Sequence, residues 1–312
     1  MNKQSYIKYK ILNKQLCIQD NKLILLSNYK NIFLKKIINV FQKTYRNHKG
    51  MGFGDFLRGS FYLLQISLIL NLEFDIDYKN HMISSFIYKN EEINNIQIDY
   101  NNIFFFMGYL NTNDVNSTNK FIKYINSVNE ENYYFYTNSR ELFQISTSEI
   151  DFMKKRLIPN ELLKISINET MNRLNLIEKQ FNIIHIRTGD RFILLNDTDI
   201  SLFKKIENLI ISKINNNDKY FLLSDSNELK KFLNNKHSNI VINLNEIIHT
   251  GEEHNITLED EYIATRNTLV DFFIMSMANK IFNMSVYGHK SGFSEYCSII
   301  FNIDYEFTLI IP

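Results

Sequence analysis

The stretch FNIIHIRTGD, residues 181–190, has the pattern of a buried strand that ends in a polar turn. A short apolar run followed by a glycine-containing turn is typical of such a strand. Side chains of a strand alternate between its two faces, so His185 and Arg187 leave this strand on the same side. Arg187 then stands at the strand's end, where a planar guanidinium suits bidentate recognition of phosphate.

Downstream of this stretch, helical and strand patterns alternate. They predict helices at 200–214, 227–233, 267–280 and 292–301, and strands at 220–224, 239–244 and 281–287. Strands that alternate with helices favour a parallel sheet with helices on both faces. We therefore predict a Rossmann-like α/β domain over residues 179–312. In such a sheet, ligands bind outside the carboxyl ends of the strands.

Upstream, the same alternation is weaker. It predicts a hairpin turn at Asp20 and Asn21, a helix at 56–71, strands at 74–78, 103–110 and 133–140, and a helical stretch at 150–180 that is broken at Pro159. We predict a second Rossmann-like domain over residues 1–178. The fold class predicted for the whole chain is α/β with two such domains.

Composition excludes several classes of function. The 312 residues carry 35 Lys and Arg against 34 Asp and Glu, for a net charge of +1, which predicts no nucleic-acid or membrane-surface partner. Two cysteines, Cys17 and Cys297, form no disulfide framework and favour a reducing compartment such as the cytoplasm. The N-terminus shows no signal-peptide pattern, and the most apolar stretch, residues 61–72, is too short to span a membrane.

Four of the nine glycines lie in KGMGFGDFLRG, residues 49–59. Glycine weakens regular structure, so such a cluster indicates a turn or a close approach to the main chain. One alternative is a dinucleotide-binding loop, with Asp75 or Asp77 as the acid about twenty residues on. That fingerprint must directly follow a buried strand, however, and here the polar segment QKTYRNHK precedes the glycines.

Three other features each have a plain structural alternative. Arg187 could form a salt bridge between domains instead of binding phosphate. Asp271 stands three residues after Thr268, which fits a capping box at a helix start. Ser294 and the helix start at KSGFSEYC could hold an anion, or Ser291 could cap that helix.

A zinc site is not predicted. His249 and His254 alone have ligand-like spacing, and no cysteine pair or further histidine lies near them in the sequence. A polar loop is the simpler interpretation of this segment.

Taken in order, these motifs resemble those of the GT-B fucosyltransferase superfamily, which includes α1,6-, α1,2- and protein O-fucosyltransferases. The resemblance covers residues 50–110 and 180–302. It rests on a G-x-G loop, an H-x-R-x-x-D motif, and an acidic helix followed by a serine turn. The matching residues are Gly52 and Gly54 for the first motif, His185, Arg187 and Asp190 for the second, and Asp271, Ser276 and Ser294 for the third.

The resemblance implies two Rossmann-like domains that face each other across a cleft, with GDP-fucose as the donor. It assigns Arg187 and Ser294 to the β-phosphate, and His185 and Asp271 to guanine. Backbone N–H groups around Gly52 and Gly54 would reach the diphosphate, so that the glycines give the main chain access to the phosphates.

The same resemblance implies inverting transfer to a glycan, glycoconjugate or protein hydroxyl, without a metal or other cofactor. Arg187 would stabilise the leaving diphosphate. Asp190 is the first candidate for the base and Asp55 the second. His81 follows the strand at 74–78, whose aspartates are expected to point outward, and we predict that it faces the cleft on the acceptor side.

Two alternatives stay open at this point. The chain could be a GT-B transferase that uses another nucleotide sugar. It could also be a catalytically degenerate module that binds a nucleotide or a sugar without turnover.

Overall fold

The structure, a computed structural model, describes residues 36–42, 51–88, 125, 137–189, 199–245 and 257–311 in full, and the backbone of residues 8–11, 14–19, 22–25, 44–45, 48–49, 104–106 and 132–136. The strands of the first half are β1 Lys8–Ile11, β2 Lys14–Gln19, β3 Lys22–Leu25, β4 Lys36–Val40, β5 Thr44–Tyr45, β6 His48–Lys49, β7 Glu73–Asp77, β8 Phe104–Phe106 and β9 Asn132–Thr137. Its helices are α1 Phe53–Leu70, α2 Thr147–Arg156 and α3 Glu161–Arg173, with a 3₁₀ turn at Met82–Ser85.

The second half alternates strands and helices. Its elements are β10 Phe181–Arg187, α4 Ile200–Ile211, β11 Lys219–Ser224, α5 Asn227–Asn234, β12 Ile240–Ile242, α6 Leu258–Ser276, β13 Lys280–Ser285, α7 Gly292–Phe301 and β14 Asp304–Leu309.

The second-half sheet is parallel throughout, in the order β12-β11-β10-β13-β14. The chain builds outward from β10 to β12, then returns to the other side of β10 with β13. The strand order therefore reverses between β10 and β13. In open α/β sheets, a crevice for ligands forms at this switch point, beyond the carboxyl ends of the strands.

The first-half sheet is also parallel, in the order β7-β4-β9-β8. Its order reverses between β4 and β9, and α1 begins near the carboxyl end of β4. A small antiparallel sheet, β1-β2-β3, precedes it, and residues Gln19 and Lys22 pair across the hairpin that the sequence predicts. A second antiparallel pair, β5-β6, lies in the connection from β4 to α1.

One continuous hydrophobic core joins the two sheets. It runs from β4 and α1 through α6 and α7 to one face of β10. A separate core cluster fills the other face of β10, beneath α4 and α5. The alternation of β10 explains this division, because Ile183 belongs to the first core and Ile184 to the second.

The α/β class and the parallel strand–helix alternation are confirmed by the structure. The domain boundary at residue 178 stays a prediction. The predicted outward direction of Asp75 and Asp77 is wrong: both side chains are buried, and Asp75 is paired with Arg156. Among the described residues, no helix is long and apolar enough to cross a membrane.

Candidate functional site

The candidate site lies at the switch point of the second-half sheet, where β10 ends beside β13. His185 and Arg187 lie on the same face of β10 as Ile183, as the alternation predicts. The strand's buried apolar residues fix its position, so the two polar side chains are presented from a rigid element.

His185 is buried and contacts the first turn of α7. Its Nδ1 lies 2.9 Å from Ser294 Oγ and 3.3 Å from the Asn283 amide nitrogen. Burial, and next the positive charge of Arg187, lower the pKa of His185 to about 3. The imidazole is therefore neutral at physiological pH and acts as a hydrogen-bonding group.

Arg187 forms a salt bridge within its own sheet. Its Nη1 lies 2.7 Å from Oδ2 of Asp225, which directly follows β11. The same carboxylate accepts the backbone N–H groups of Thr188, at 2.7 Å, and Gly189, at 3.1 Å. The alternative of a salt bridge between domains is wrong for this pair, because both partners stand at the carboxyl edge of one sheet.

Asp271 lies in the middle of α6, not at its start. The helix begins earlier than predicted and is capped by Thr257 and Asp260, while Thr268 donates its hydroxyl to Ala264. The capping alternative for Asp271 is therefore wrong. Asp271 Oδ1 is buried and has no hydrogen-bond partner among the described residues.

The Asp271 carboxyl is electrostatically unusual. Burial raises its pKa to about 7, against a smaller lowering by the ammonium of Lys230. Lys230 is itself buried and donates to the Asn243 carbonyl at 2.9 Å, and burial lowers its pKa while the carboxylates of Asp271 and Asp225 oppose that shift. The ammonium of the buried Lys230 thus interacts electrostatically with both Asp271 and Asp225.

The N-termini of α1 and α7 meet at this edge. The N-cap of α1 is Gly52, which has no side chain to cap the helix. The N-cap of α7 is Ser291, whose side chain makes no capping hydrogen bond, so the alternative that Ser291 caps α7 is wrong. The first amides of a helix have no intrahelical acceptor, and its N-terminus carries partial positive charge. Two such N-termini therefore combine in one place.

The contact between these two helix N-termini explains one of the clustered glycines. A Cβ on Gly54 would lie 2.3 Å from the backbone nitrogen of Phe293, and one on Gly292 would lie 3.2 Å from the Gly54 carbonyl oxygen. Gly59 is needed for a different reason, since its Cβ would overlap the Thr137 carbonyl at the end of β9. Gly52 has open space instead. The idea that the glycines serve only access to a ligand is thus corrected for Gly54 and Gly59, which are required by protein packing.

Helix α1 and the loop after β9 contribute charged residues to the same region. Asp55 forms a 2.7 Å salt bridge with Arg58, whose Nε donates to the Asn138 carbonyl after β9. Arg140, in the loop after β9, contacts Glu295 of α7 in the second half of the chain at 3.3 Å. These contacts tie the loop after β9 to both α1 and α7.

His81 lies on the α1 side of this region. Its ring stacks on Phe41 with centroids 3.9 Å apart, and Phe41 stacks in turn on Phe56 in the first turns of α1. Its Nδ1 accepts the backbone N–H of Ile83 at 3.1 Å. The predicted role of His81 on the acceptor side stays a prediction.

Asp190, the first candidate for the base, lies outside the described residues, as do His249 and His254. Where the structure does describe the chain, no group of three or more metal-ligating side chains occurs.

The sequence patterns assign no specific role to Asp225 or to Lys230. The polar cluster SDS after β11 was a usable signal for Asp225, because it marks a strand end beside β10. Lys230 gave no local signal, since its burial depends on α6 and on the segment after β12.

Comparison with family models gives no match, and comparison with curated proteins gives none either. Solved structures do match. NodZ, a fucosyltransferase from Bradyrhizobium, superposes with a TM-score of 0.52 at 10% identity over 86% of this chain and 93% of NodZ. The NodZ α-1,6-fucosyltransferase co-crystallised with GDP gives the same values. NodZ soaked with GDP-fucose gives a TM-score of 0.51 at 11% identity over 85% of this chain and 92% of NodZ.

A plant protein gives a similar result. A mutant of FUT1 from Arabidopsis thaliana, in complex with GDP, matches with a TM-score of 0.50 at 8% identity, over 88% of this chain and 70% of FUT1. The chain has the same fold as these fucosyltransferases. The predicted GT-B fold is thereby confirmed, and at such low identity the similarity establishes the fold alone.

Proposed function

We propose that this protein is a glycosyltransferase that moves fucose from GDP-fucose to a hydroxyl group of a glycan or glycoconjugate. The GT-B fold supports this proposal, because proteins of the same fold bind GDP or GDP-fucose. The observation that carries it is the meeting of the α1 and α7 N-termini beside the strand that presents Arg187. Amide groups and a guanidinium are the groups that bind a diphosphate.

The surroundings of Asp271 in α6 suit guanine. Asp271 has a buried carboxylate oxygen without a partner among the described residues, and a buried orphan acceptor costs free energy unless a ligand or water supplies a donor. The Watson–Crick edge of guanine offers two adjacent N–H donors, and a carboxylate offers two acceptors. We propose that Asp271 receives them.

The contact between His185 and Ser294 refines the assignment of ligand groups. Guanine and the β-phosphate lie at opposite ends of GDP, yet these two side chains are 2.9 Å apart. This short distance favours a common ligand group for the two side chains. We propose that Ser294 and Arg187 hold the phosphate, and that the neutral His185 ring orients the Ser294 hydroxyl.

In the proposed reaction, the bond between fucose C1 and the β-phosphate oxygen breaks, and its electron pair stays on GDP. Arg187 and the helix N-termini stabilise that negative charge where it develops, which typically contributes about 10²–10³ in rate per donor. The acceptor hydroxyl attacks C1 from the opposite face, which inverts the configuration. We propose that the positive charge of Arg187 and of the two helix N-termini makes a divalent metal unnecessary.

The proton of the acceptor hydroxyl needs a base. Asp190 is the first candidate by its place in the motif. Asp55 is the second, but its carboxylate is already engaged by Arg58 at 2.7 Å. We propose that the acceptor approaches from the edge of the first-half sheet, where Asp55 and His81 lie near α1.

Nucleotide protection and turnover test this proposal together. We expect GDP to raise the melting temperature more than UDP or ADP does. We expect purified protein to release GDP from GDP-fucose faster when a suitable oligosaccharide from a panel is present. Preference for another nucleotide would favour a different sugar donor. Tight GDP binding with no turnover on any acceptor would favour a degenerate binding module.

A further inference from the structure

Within the part of the chain that the structure describes, Asp225 makes several contacts to the start of the loop after β10. Its Oδ2 accepts Arg187 Nη1 at 2.7 Å and the Gly189 N–H at 3.1 Å. Its Oδ1 accepts the Thr188 N–H at 2.7 Å and also the Thr188 hydroxyl. Both oxygens of one buried carboxylate are thus committed to three consecutive residues.

These contacts fix the backbone as well as the guanidinium. Gly189 has a φ of +112°, a conformation that other residues rarely adopt, and its N–H points back at Asp225. The turn therefore leaves β10 in one direction, set by the carboxylate on the neighbouring strand end. The Asp225 carboxylate also holds the side chain of Arg187, the last residue of β10.

We propose that Asp225 is a positioning residue, which orients Arg187 and the turn after it so that the guanidinium meets the leaving phosphate of the nucleotide sugar. This inference rests on the proposed function. Asp225 acts through Arg187 and does not itself touch the donor.

The charge of Asp225 is compatible with a neighbouring phosphate. An isolated carboxylate would repel a diphosphate, but this one accepts five hydrogen bonds, one of them from a guanidinium and one, at 3.4 Å, from the Ser224 hydroxyl. The ammonium of Lys230 also faces it. Arg187 and Lys230 therefore offset the negative charge of Asp225.

Asp225→Asn is the direct test, because it preserves shape and removes the charge and one acceptor. We expect the kcat for GDP release from GDP-fucose to fall by about 10-fold or more, because Arg187 would then stabilise the leaving phosphate only in part. Affinity for GDP should change less than kcat, since the orientation matters most as charge develops.

The chain offers a matched control. Asp75 is a second buried aspartate paired with an arginine, and Arg156 contacts it at 2.7 and 3.1 Å far along α2. Asp75→Asn should lower the melting temperature while kcat stays within about 2-fold of the wild type, because a largely buried ion pair away from the chemistry affects stability only.

A double-mutant cycle separates positioning from general stability. Arg187→Lys is measured alone and together with Asp225→Asn. If Asp225 acts through Arg187, Asp225→Asn should cost less than about 3-fold in the Arg187→Lys background, since groups that act as a unit are non-additive. An equal loss in both backgrounds overturns the proposal.

A second variant covers the case in which Asp225→Asn does not fold. Thr188→Val removes one hydroxyl contact to Asp225 and leaves the carboxylate in place. We expect kcat to fall by roughly 2- to 10-fold at an unchanged GDP affinity. Wild-type kcat in both Thr188→Val and Asp225→Asn would overturn the inference while the proposed function survives. An inactive wild type would defeat the proposed function, and this inference with it.

Discussion

Among the residues that the structure describes, a buried aspartate pairs with an arginine at each of the two parallel sheets, yet the two pairs differ in what they connect. In the first-half sheet, Arg156 contacts Asp75 through both Nε and Nη2. In the second-half sheet, Arg187 contacts Asp225 through Nη1, and the remaining acceptors of that carboxylate hold a turn. The first pair joins β7 to α2, whereas the second stands at a strand end beside the switch point.

Pairing with a buried aspartate therefore does not by itself identify a functional arginine. Both pairs are largely buried, and both arginines keep only a fifth to a quarter of their side chains exposed. Position decides between them. Arg187 lies where the strand order reverses and where two helix N-termini meet, which is where a ligand binds in such sheets.

The largest expected effect comes from exchanging each arginine for lysine. Arg187→Lys keeps the charge but loses the planar fork, so turnover of GDP-fucose should fall by roughly 10²-fold or more. Arg156→Lys should leave turnover near the wild-type value and cost about 1–2 kcal/mol of stability through a lost hydrogen bond. Melting temperature and turnover are measured on the same preparations. Near-normal turnover of a folded Arg187→Lys variant would remove Arg187 from the site.

A somewhat smaller effect is expected at the contact between the helix N-termini. Gly54→Ala places a Cβ within 2.3 Å of the Phe293 backbone, so the two helices must separate. We expect a loss of about 1–3 kcal/mol in stability and roughly 10-fold or more in turnover.

Gly52→Ala is the control for this substitution, because a Cβ there meets nothing in the protein. It should leave the melting temperature unchanged and weaken GDP binding only. If Gly54→Ala were as stable and active as the wild type, the meeting of the two N-termini would have no importance for the site.

The next effect concerns pH and Asp271. Its pKa is raised to about 7, so the carboxylate that would accept guanine is lost as the pH falls below 7. GDP should bind about 10-fold more weakly at pH 6 than at pH 8. His185, whose pKa is lowered to about 3, stays neutral throughout this range.

Asp271→Asn separates this effect from titration of the phosphate, which both proteins share. The variant should bind GDP more weakly at pH 8 and lose most of the pH dependence. The folded carboxyl ionises at about 7 and the unfolded one at 3.8, so stability of the free protein should fall as pH rises through this window. An unchanged pH profile in Asp271→Asn would contradict the guanine assignment.

The smallest effect is expected from chelation. If Arg187 and the helix N-termini supply the positive charge, EDTA should change the rate of GDP release by less than about 2-fold. Complete loss of activity in EDTA, restored by manganese, would show that a metal supplies that charge instead.

Much of the fold could be predicted from the sequence, because hydrophobic periodicity is a local signal. Strand β10 and helix α7 have the predicted bounds, and α3 follows the break at Pro159. Strands β4 and β14 were missed. The start of α6 was placed nine residues too late, since an exposed first turn rich in acids carries no apolar pattern.

The candidate site was predictable only where a residue stands at a strand end. His185 and Arg187 follow from alternation along β10, whereas the partnership of Arg187 with Asp225 requires the neighbouring strand to be known. The outward direction predicted for Asp75 is wrong because Arg156, 81 residues away in the sequence, pairs with the buried carboxylate. The role of Gly54 also depends on a contact distant in sequence.

The most direct test of the central claim is a crystal structure of the protein with GDP. We expect the β-phosphate to lie between the N-termini of α1 and α7, within hydrogen-bond distance of Arg187 and Ser294. We expect guanine to contact Asp271. GDP bound away from this edge, or bound there with the guanidinium of Arg187 still turned from the phosphates, would contradict it.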